Sequence, residues 1–207
     1  MPQGVWKAIL FAAGIALVSV VHECTQSRIQ TNERLALLRR LQVVLPASEY
    51  DNNILDTARR TGARALDSAT PPVAYIARCG GEPTAAVFDV VTPDGYSGPI
   101  RLLIAIYTNG VIAGVRVVSE HESAGVGDAI KIDKSDWILQ FMGRSLKNPP
   151  TDAWGVTRDG GAFDQISGAT ITSRGVVDAI RCILLYFNAH KQALFTNPAA
   201  ISRPSIQ

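Results

Sequence analysis

The sequence has few of the residues that most enzymes use for chemistry. It holds three cysteines and three histidines in 207 residues, with no C-x-x-C pair. That excludes a zinc ribbon, a four-cysteine iron–sulfur site and a dense disulfide framework, and no metal site is expected. Charge is scarce as well: Asp, Glu, Lys and Arg make up 18%, below the roughly 25% of an ordinary soluble chain. With 20 basic and 18 acidic side chains the net charge is +2, which leaves no long basic face, and no nucleic-acid partner is expected. His121-Glu122 begins like a zinc-peptidase helix, but Gly125 stands where the second ligand belongs. Gly125-Val126-Gly127 begins like a dinucleotide fingerprint, yet Ile130 fills the third glycine position and is too large for it. There is no G-K-[ST] loop and no G-x-S-x-G elbow. No catalytic residue is therefore assigned.

What the chain has in surplus is apolar residues, at 47% with a mean hydropathy of +0.13. The surplus is concentrated at the start. Gly4 to Val21 reads GVWKAILFAAGIALVSVV, broken only by Lys7; as a helix it spans roughly 27 Å, close to a hydrocarbon core. Trp6 and Lys7 lie at its front edge, where an indole and a snorkelling ammonium suit the headgroups. No small-x-small cleavage site follows, since the run leads into His22, Glu23 and Cys24, so it reads as an uncleaved anchor and not as a signal peptide. Arg28, Arg34, Arg39 and Arg40 follow the run, and charge counting does not choose a side for the domain beyond it.

After the anchor (1–25) comes a helical connecting segment (26–70). Its residues Ile29, Leu35, Leu38, Leu41 and Leu45 fall mostly three or four apart, which predicts an amphipathic helix ending before Pro46. The stretch from Tyr50 to Ala69 is polar and reads as partly helical. The period then changes. Val73–Cys79, Ala85–Val91, Ile100–Tyr107 and Val111–Ser119 are rich in Val, Ile and aromatics and are punctuated by Gly80-Gly81, Pro93-Asp94-Gly95 and Asn109-Gly110. They predict four antiparallel strands, the last two joined by a type I′ turn at Asn109-Gly110. A short helix is expected over Ser135–Phe141 and a long one from about Ser173 to Leu194, with Val176, Ile180, Ile183, Leu184 and Phe187 at core spacing. The tail, 196–207, reads as disordered. The fold class is α+β: one N-terminal transmembrane helix, then a domain (71–195) with a central antiparallel sheet and flanking helices.

Two loops carry the candidate chemistry. Asp164-Gln165-Ile166-Ser167-Gly168-Ala169-Thr170-Ile171-Thr172 stands directly before the long helix. Gly168 and Ala169 let the backbone come close to a ligand, and Ser167, Thr170 and Thr172 offer hydroxyls. The first helical turn adds free N–H groups and the positive end of the dipole. On spacing alone, Thr172 or Ser173 as an ordinary helix cap is the simpler reading of the same residues. The second loop is His121-Glu122-Ser123-Ala124-Gly125-Val126-Gly127-Asp128. Tyr96 and Trp154 are conceivable neighbours of a planar ligand, though aromatics beside strands more often pack the core.

The first loop is similar to the flavinylation motif of the FMN-binding domain family, Asp-x-x-[Ser/Thr]-Gly-Ala-Thr-x-[Ser/Thr], and is complete from Asp164 to Thr172. The second resembles that family's His-Glu-Thr-x-Gly-Leu-Gly segment, with Ser123 for Thr and Val126 for Leu. Val44-Leu45-Pro46, Tyr50-Asp51-Asn52, Pro93-Asp94-Gly95-Tyr96-Ser97-Gly98, Ser135-Asp136-Trp137 and Asp159-Gly160-Gly161-Ala162-Phe163-Asp164 look like the family of G subunits of the Rnf (Rsx) electron transport complexes. The C subunits of Na⁺-translocating NADH:quinone reductases share the flavin motif but fit the Pro-Asp-Gly-Tyr stretch less well.

The resemblance implies FMN, moved from FAD by a flavin transferase and joined through its phosphate to Thr172. Ser167, Gly168, Ala169 and Thr170 would shape the loop, and Ser123 and Val126 would meet the ring. It implies a single-pass protein of the bacterial inner membrane with its domain on the periplasmic side, in contact with lipid and with the other subunits of an Rnf-type complex. That complex couples ferredoxin/NAD-type electron transfer to ion translocation, and this component would not turn over alone. In such a compartment Cys79 and Cys182 could pair, or remain free thiols. Two other functions fit the loops without the resemblance: an anchored domain that binds a partner or phosphate ligand without redox chemistry, and a flavin reductase acting alone.

Overall fold

The computed structural model describes residues 32–61 and 70–196. The chain divides into two compact units, Met1–Arg39 and Arg40–Gln207. The anchor expected over Gly4–Val21 and the tail from Asn197 lie outside the described residues. Among the described residues no helix is long and apolar enough to cross a membrane. Among the described residues, helix α1 runs over 32–44. Of its expected apolar stripe, Leu41 and Leu45 are buried together with Val44, while Leu35 is exposed.

The second unit is built on a five-stranded sheet in the order β1-β2-β3-β4-β5, a plain antiparallel meander. The strands are β1 Arg59–Arg60, β2 Val73–Cys79, β3 Glu82–Thr92, β4 Ile100–Tyr107 and β5 Ile112–Ser119. Four of them stand where the Val/Ile-rich runs predict. β1 has no such signal: two arginines show no apolar alternation, and their strand geometry comes from pairing with Ala74 and Val73 of β2.

Beyond that pairing, the edge of β2 is covered by side chains instead of a strand. Thr57 Oγ1 accepts the Ile76 N–H at 2.8 Å, Asn52 Oδ1 accepts the Arg78 N–H at 2.8 Å, and Asn52 Nδ2 donates to the Ile76 carbonyl at 3.0 Å. These residues come from the polar stretch after Pro46, which forms short 3₁₀ turns at Ala47–Glu49 and Ile54–Thr57. An open edge would otherwise invite pairing with another chain.

The Asn109-Gly110 hairpin differs from expectation. A type I′ turn needs positive φ at both central residues, but among the described residues only glycines have positive φ, Gly110 at 87°. Gly110 N–H donates to the Tyr107 carbonyl at 2.8 Å and Tyr107 N–H to the Val111 carbonyl at 2.9 Å. The loop is therefore three residues long, Thr108 to Gly110, with the glycine alone in the left-handed position.

Helix α2, Thr170–Thr196, lies on one sheet face. Val176, Val177, Ile180, Ile183, Leu184 and Phe187 enter one core with Ile76, Phe88, Leu102, Ile104 and Val115, and Phe88 meets Phe187 edge-on at 6.3 Å. The other sheet face is covered too, so Tyr75, Ala77, Val87 and Leu103 are also buried. This is why the strands read as continuous apolar runs and not as alternating ones. Two arginines at the sheet edge fix the far end of the helix: Arg59 Nη1 donates to the Leu194 carbonyl and Arg78 Nη2 to the Phe195 carbonyl, each at 2.9 Å. Both satisfy last-turn carbonyls and oppose the negative end of the dipole.

Candidate flavin site

The near end of α2 is where the two loops meet. The helix starts at Thr170, three residues before the expected Ser173. Ser173 does not cap it; its hydroxyl donates to the Ala169 carbonyl at 2.9 Å and accepts the Ile166 N–H at 3.0 Å. Thr172 is likewise inside the first turn. By helix geometry the N–H groups of Thr170, Ile171 and Thr172 have no intrahelical acceptor, so this end keeps its positive character toward whatever lies before it.

Three segments are brought against that turn. The β3–β4 loop approaches so closely that a Cβ on Gly175 would lie 2.4 Å from the Asp94 carbonyl oxygen; only glycine allows the contact, which brings Tyr96 and Ser97 to the helix start. The His121–Asp128 loop folds on itself: the Ser123 carbonyl accepts the N–H groups of Val126, Gly127 and Asp128 at 3.2, 2.9 and 3.3 Å. Buried Asp128 accepts the Gly125 N–H at 2.7 Å. The Ser167-Gly168-Ala169 loop turns through Gly168 at φ 82°, where an added Cβ would press on Val126 Cγ1 at 3.1 Å. Arg174, one turn into α2, grips Asp159 with two hydrogen bonds of 2.5 and 2.6 Å. That hydrogen-bonded ion pair holds the Asp159 carboxyl below its usual range and raises Arg174.

Between these segments is a cavity of about 420 Å³, lined by Tyr96, Glu122, Ser123, Val126, Gly127, Arg158, Gly168, Ala169, Thr170, Ile171 and Thr172. Of the residues singled out from the sequence, Thr172, Gly168, Ala169, Thr170, Ser123 and Val126 all stand in its wall. Ser167 does not; it is exposed beside the wall. Tyr96, 69% exposed, is at the cavity and not in the core. Trp154 is in the core, its Nε1–H shared between the carbonyls of Ser145 and Pro149 at 3.2 and 3.1 Å. Cys79 and Cys182 are free thiols, which removes the pairing alternative; burial, and then Asp178, push the Cys182 thiol up.

Two charged wall residues carry no role that the sequence alone assigns. Arg158 brings a cation to the cavity. Glu122 accepts the Thr172 hydroxyl proton at Oε2 (2.7 Å) and the Ser97 N–H at Oε1 (3.1 Å). The signal for Glu122 is its place between a histidine and a hydroxyl in a motif otherwise made of small residues. The 50-residue separation from Thr172 hides the contact.

The wall fits a flavin mononucleotide. Its volume falls in the range of small-molecule sites. Val126, Ile171, Ala169 and Tyr96 offer apolar and aromatic surface for a planar ring, while Arg158, the Thr170 and Thr172 hydroxyls and the free first-turn N–H groups suit a phosphate.

The FMN-binding domain family matches residues 95–184, the segment that supplies every one of these wall residues. This is an FMN-binding domain. The chain is also similar over most of its length to three curated relatives, each named as the G subunit of an ion-translocating oxidoreductase complex. The protein of Shewanella loihica is 42% identical over 185 residues, covering 89% of this chain and 87% of that one. That of Pseudomonas aeruginosa is 43% identical over 187 residues, 89% and 87%. That of Vibrio atlanticus is 38% identical over 196 residues, 95% and 94%. The chain belongs to the family of G subunits of ion-translocating oxidoreductase complexes.

Proposed function

We propose that this chain is the flavin-bearing electron-transfer subunit of an Rnf-type ion-translocating oxidoreductase, carrying FMN joined through its phosphate to Thr172. Family membership supports the electron-transfer role. The observation that carries the attachment site is the position of Thr172 in the cavity wall, in the first turn of α2, at the end of a complete Asp164–Thr172 motif. Bound FMN supplies one- and two-electron chemistry; the residues of this chain bind and orient it. Thr170, Arg158 and the first-turn N–H groups hold the phosphate, and Gly168 and Ala169 keep the backbone out of its way. Ser123, Val126, Ile171 and Tyr96 border the ring and limit its exposure to water.

Covalent attachment suits a domain on the periplasmic side of the inner membrane, anchored by residues 1–25 through the run Gly4–Val21, with 26–70 as connecting segment and 71–195 as the flavin domain. A diffusible flavin lost there would have to be replaced from the cytoplasm, whereas a tethered one keeps a permanently high local concentration. Maturation requires a flavin transferase as a partner, and membrane lipid surrounds the anchor. The electron donors and acceptors are the other subunits of the complex, so the isolated chain does not turn over NADH.

The test is co-expression with a flavin transferase followed by denaturing gel electrophoresis. The wild-type band fluoresces as flavin, Thr170→Ala retains the signal and Thr172→Ala abolishes it. Fluorescence surviving in Thr172→Ala moves the linkage elsewhere and contradicts the assignment.

A further inference from the structure

Thr172 is sealed in this structure: none of its surface is exposed, and its hydroxyl proton is committed to Glu122. Glu122 is itself held firmly. Its second oxygen takes the Ser97 N–H at 3.1 Å, and its own N–H donates to Glu120 at 2.5 Å. Glu120 is anchored by an ion pair of 2.7 Å with Lys131. The side chain lies where two glycines make room: an added Cβ would come within 2.7 Å of Glu122 Oε1 at Gly95, and within 2.7 Å of Glu122 Cβ and 2.9 Å of Oε2 at Gly127. The carboxylate is thus built into the position beside the acceptor hydroxyl, and it ties the His121–Gly127 loop to the first turn of α2.

Ester formation removes the basis of this contact. Thr172 Oγ bonds to the FMN phosphorus of a flavin adenine dinucleotide, the P–O–P bond breaks, and the hydroxyl proton ends on the departing adenosine monophosphate. Afterwards Thr172 has no proton to donate, and the phosphodiester sets a second negative charge beside the carboxylate, where two anions about 4 Å apart repel. We infer that Glu122 is the latch of the unmodified site: it holds Thr172 closed before attachment and releases both Thr172 and the Ser97 N–H when the ester forms. The inference rests on Thr172 being the FMN acceptor. Glu122 acts as a positioning residue, and removing it opens the hydroxyl to the transferase.

The experiment uses the full chain in detergent with purified flavin transferase and FAD. The rate of covalent flavin incorporation is compared between wild type and Glu122→Ala, and amide hydrogen exchange at Ser97 is measured in wild type before and after modification. Glu122→Ala is expected to take up flavin about three- to tenfold faster, and the Ser97 amide to exchange about tenfold or more faster once Thr172 carries flavin. A rate unchanged or slowed by Glu122→Ala overturns the latch, a slowed rate being the mark of a base that takes the hydroxyl proton. Unchanged Ser97 protection also overturns it, and that readout needs no variant. Wild-type protein that is modified elsewhere or not at all overturns the Thr172 assignment as well. Modification at Thr172 with either of the other failures removes only the latch.

Discussion

The segment from Val73 to Ser119 and the segment from Glu120 to Ala169 are held together by opposite means. The first is four long strands closed by backbone ladders, with Ile76, Phe88, Leu102 and Ile104 fully buried. The second has no strand beyond isolated bridges and only 3₁₀ turns, at Gly127–Ile130, Asp136–Phe141, Thr151–Ala153 and Thr157–Asp159. What holds it is a chain of rings and single hydrogen bonds. Trp154 and Phe163 lie 4.6 Å apart, Phe163 and Phe141 4.9 Å, and Phe141 and Trp137 5.4 Å. Trp137 Nε1–H then ties the Asp164 carbonyl at 2.6 Å. Irregular backbone can present its N–H groups and small residues to a ligand because no ladder consumes them. The sheet holds α2 in place, and the irregular half builds the site at the end of α2.

The largest expected effect separates function from fold. Thr172→Ala loses all covalent flavin while the protein keeps its circular dichroism spectrum; a collapsed spectrum would mean that the site is also part of the core's integrity.

Next come two parts of the one core, at the sheet and among the rings. Phe88→Ala in the sheet and Phe163→Ala among the rings are each expected to cost about 3–5 kcal/mol in denaturant unfolding. If Phe163→Ala costs less than about 1 kcal/mol, the irregular half is not packed as the sheet is.

Much of the sheet half is legible in the sequence because burial on both faces writes itself as unbroken Val/Ile runs. The strands at Val73–Cys79 and Ile100–Tyr107 match to the residue. β1 escapes such a reading because Arg59-Arg60 is made a strand by its neighbour and not by its own composition. The Asn109-Gly110 pair locates the turn but not its geometry, since one extra residue lets glycine alone take positive φ. In the irregular half, periodicity marks only the helix expected over Ser135–Phe141, which forms as a 3₁₀ helix over Asp136–Phe141 capped by the Ser135 side chain. The chemistry of small and hydroxyl residues marks the two loops, and their meeting is real: Gly168 lies against Val126. Which side chains cross the gap is not legible. Glu122 reaches Thr172, Ser97 arrives through the Asp94–Gly175 approach, and Arg158 comes from a turn tied to α2 by Asp159–Arg174; each contact joins residues far apart in the chain.

A smaller effect probes that last tie. The folded Asp159 carboxyl is held low by Arg174, so its contribution to stability is complete above the ordinary carboxylate pKa of about 3.9 and disappears as pH falls through the folded value. Asp159→Asn should lower the melting temperature slightly at pH 7, by no more than about 2 °C for so exposed a pair. The difference from wild type should vanish once the pH lies below the folded value. A difference that persists there would mean that Asp159 acts through packing and not through charge.

The smallest effect concerns the thiols. Cys79 at the exposed end of β2 should react with a maleimide several-fold faster than Cys182, which burial and Asp178 keep protonated. Equal rates would mean that α2 opens readily from the sheet.

Peptide mapping by mass spectrometry of the full chain, purified from cells that contain a flavin transferase, reads the site itself. The expected result is FMN as a phosphoester on the peptide spanning Asp164 to Arg174, with fragment ions assigning it to Thr172. A bare peptide at full coverage, or FMN assigned to any other residue, would contradict the account.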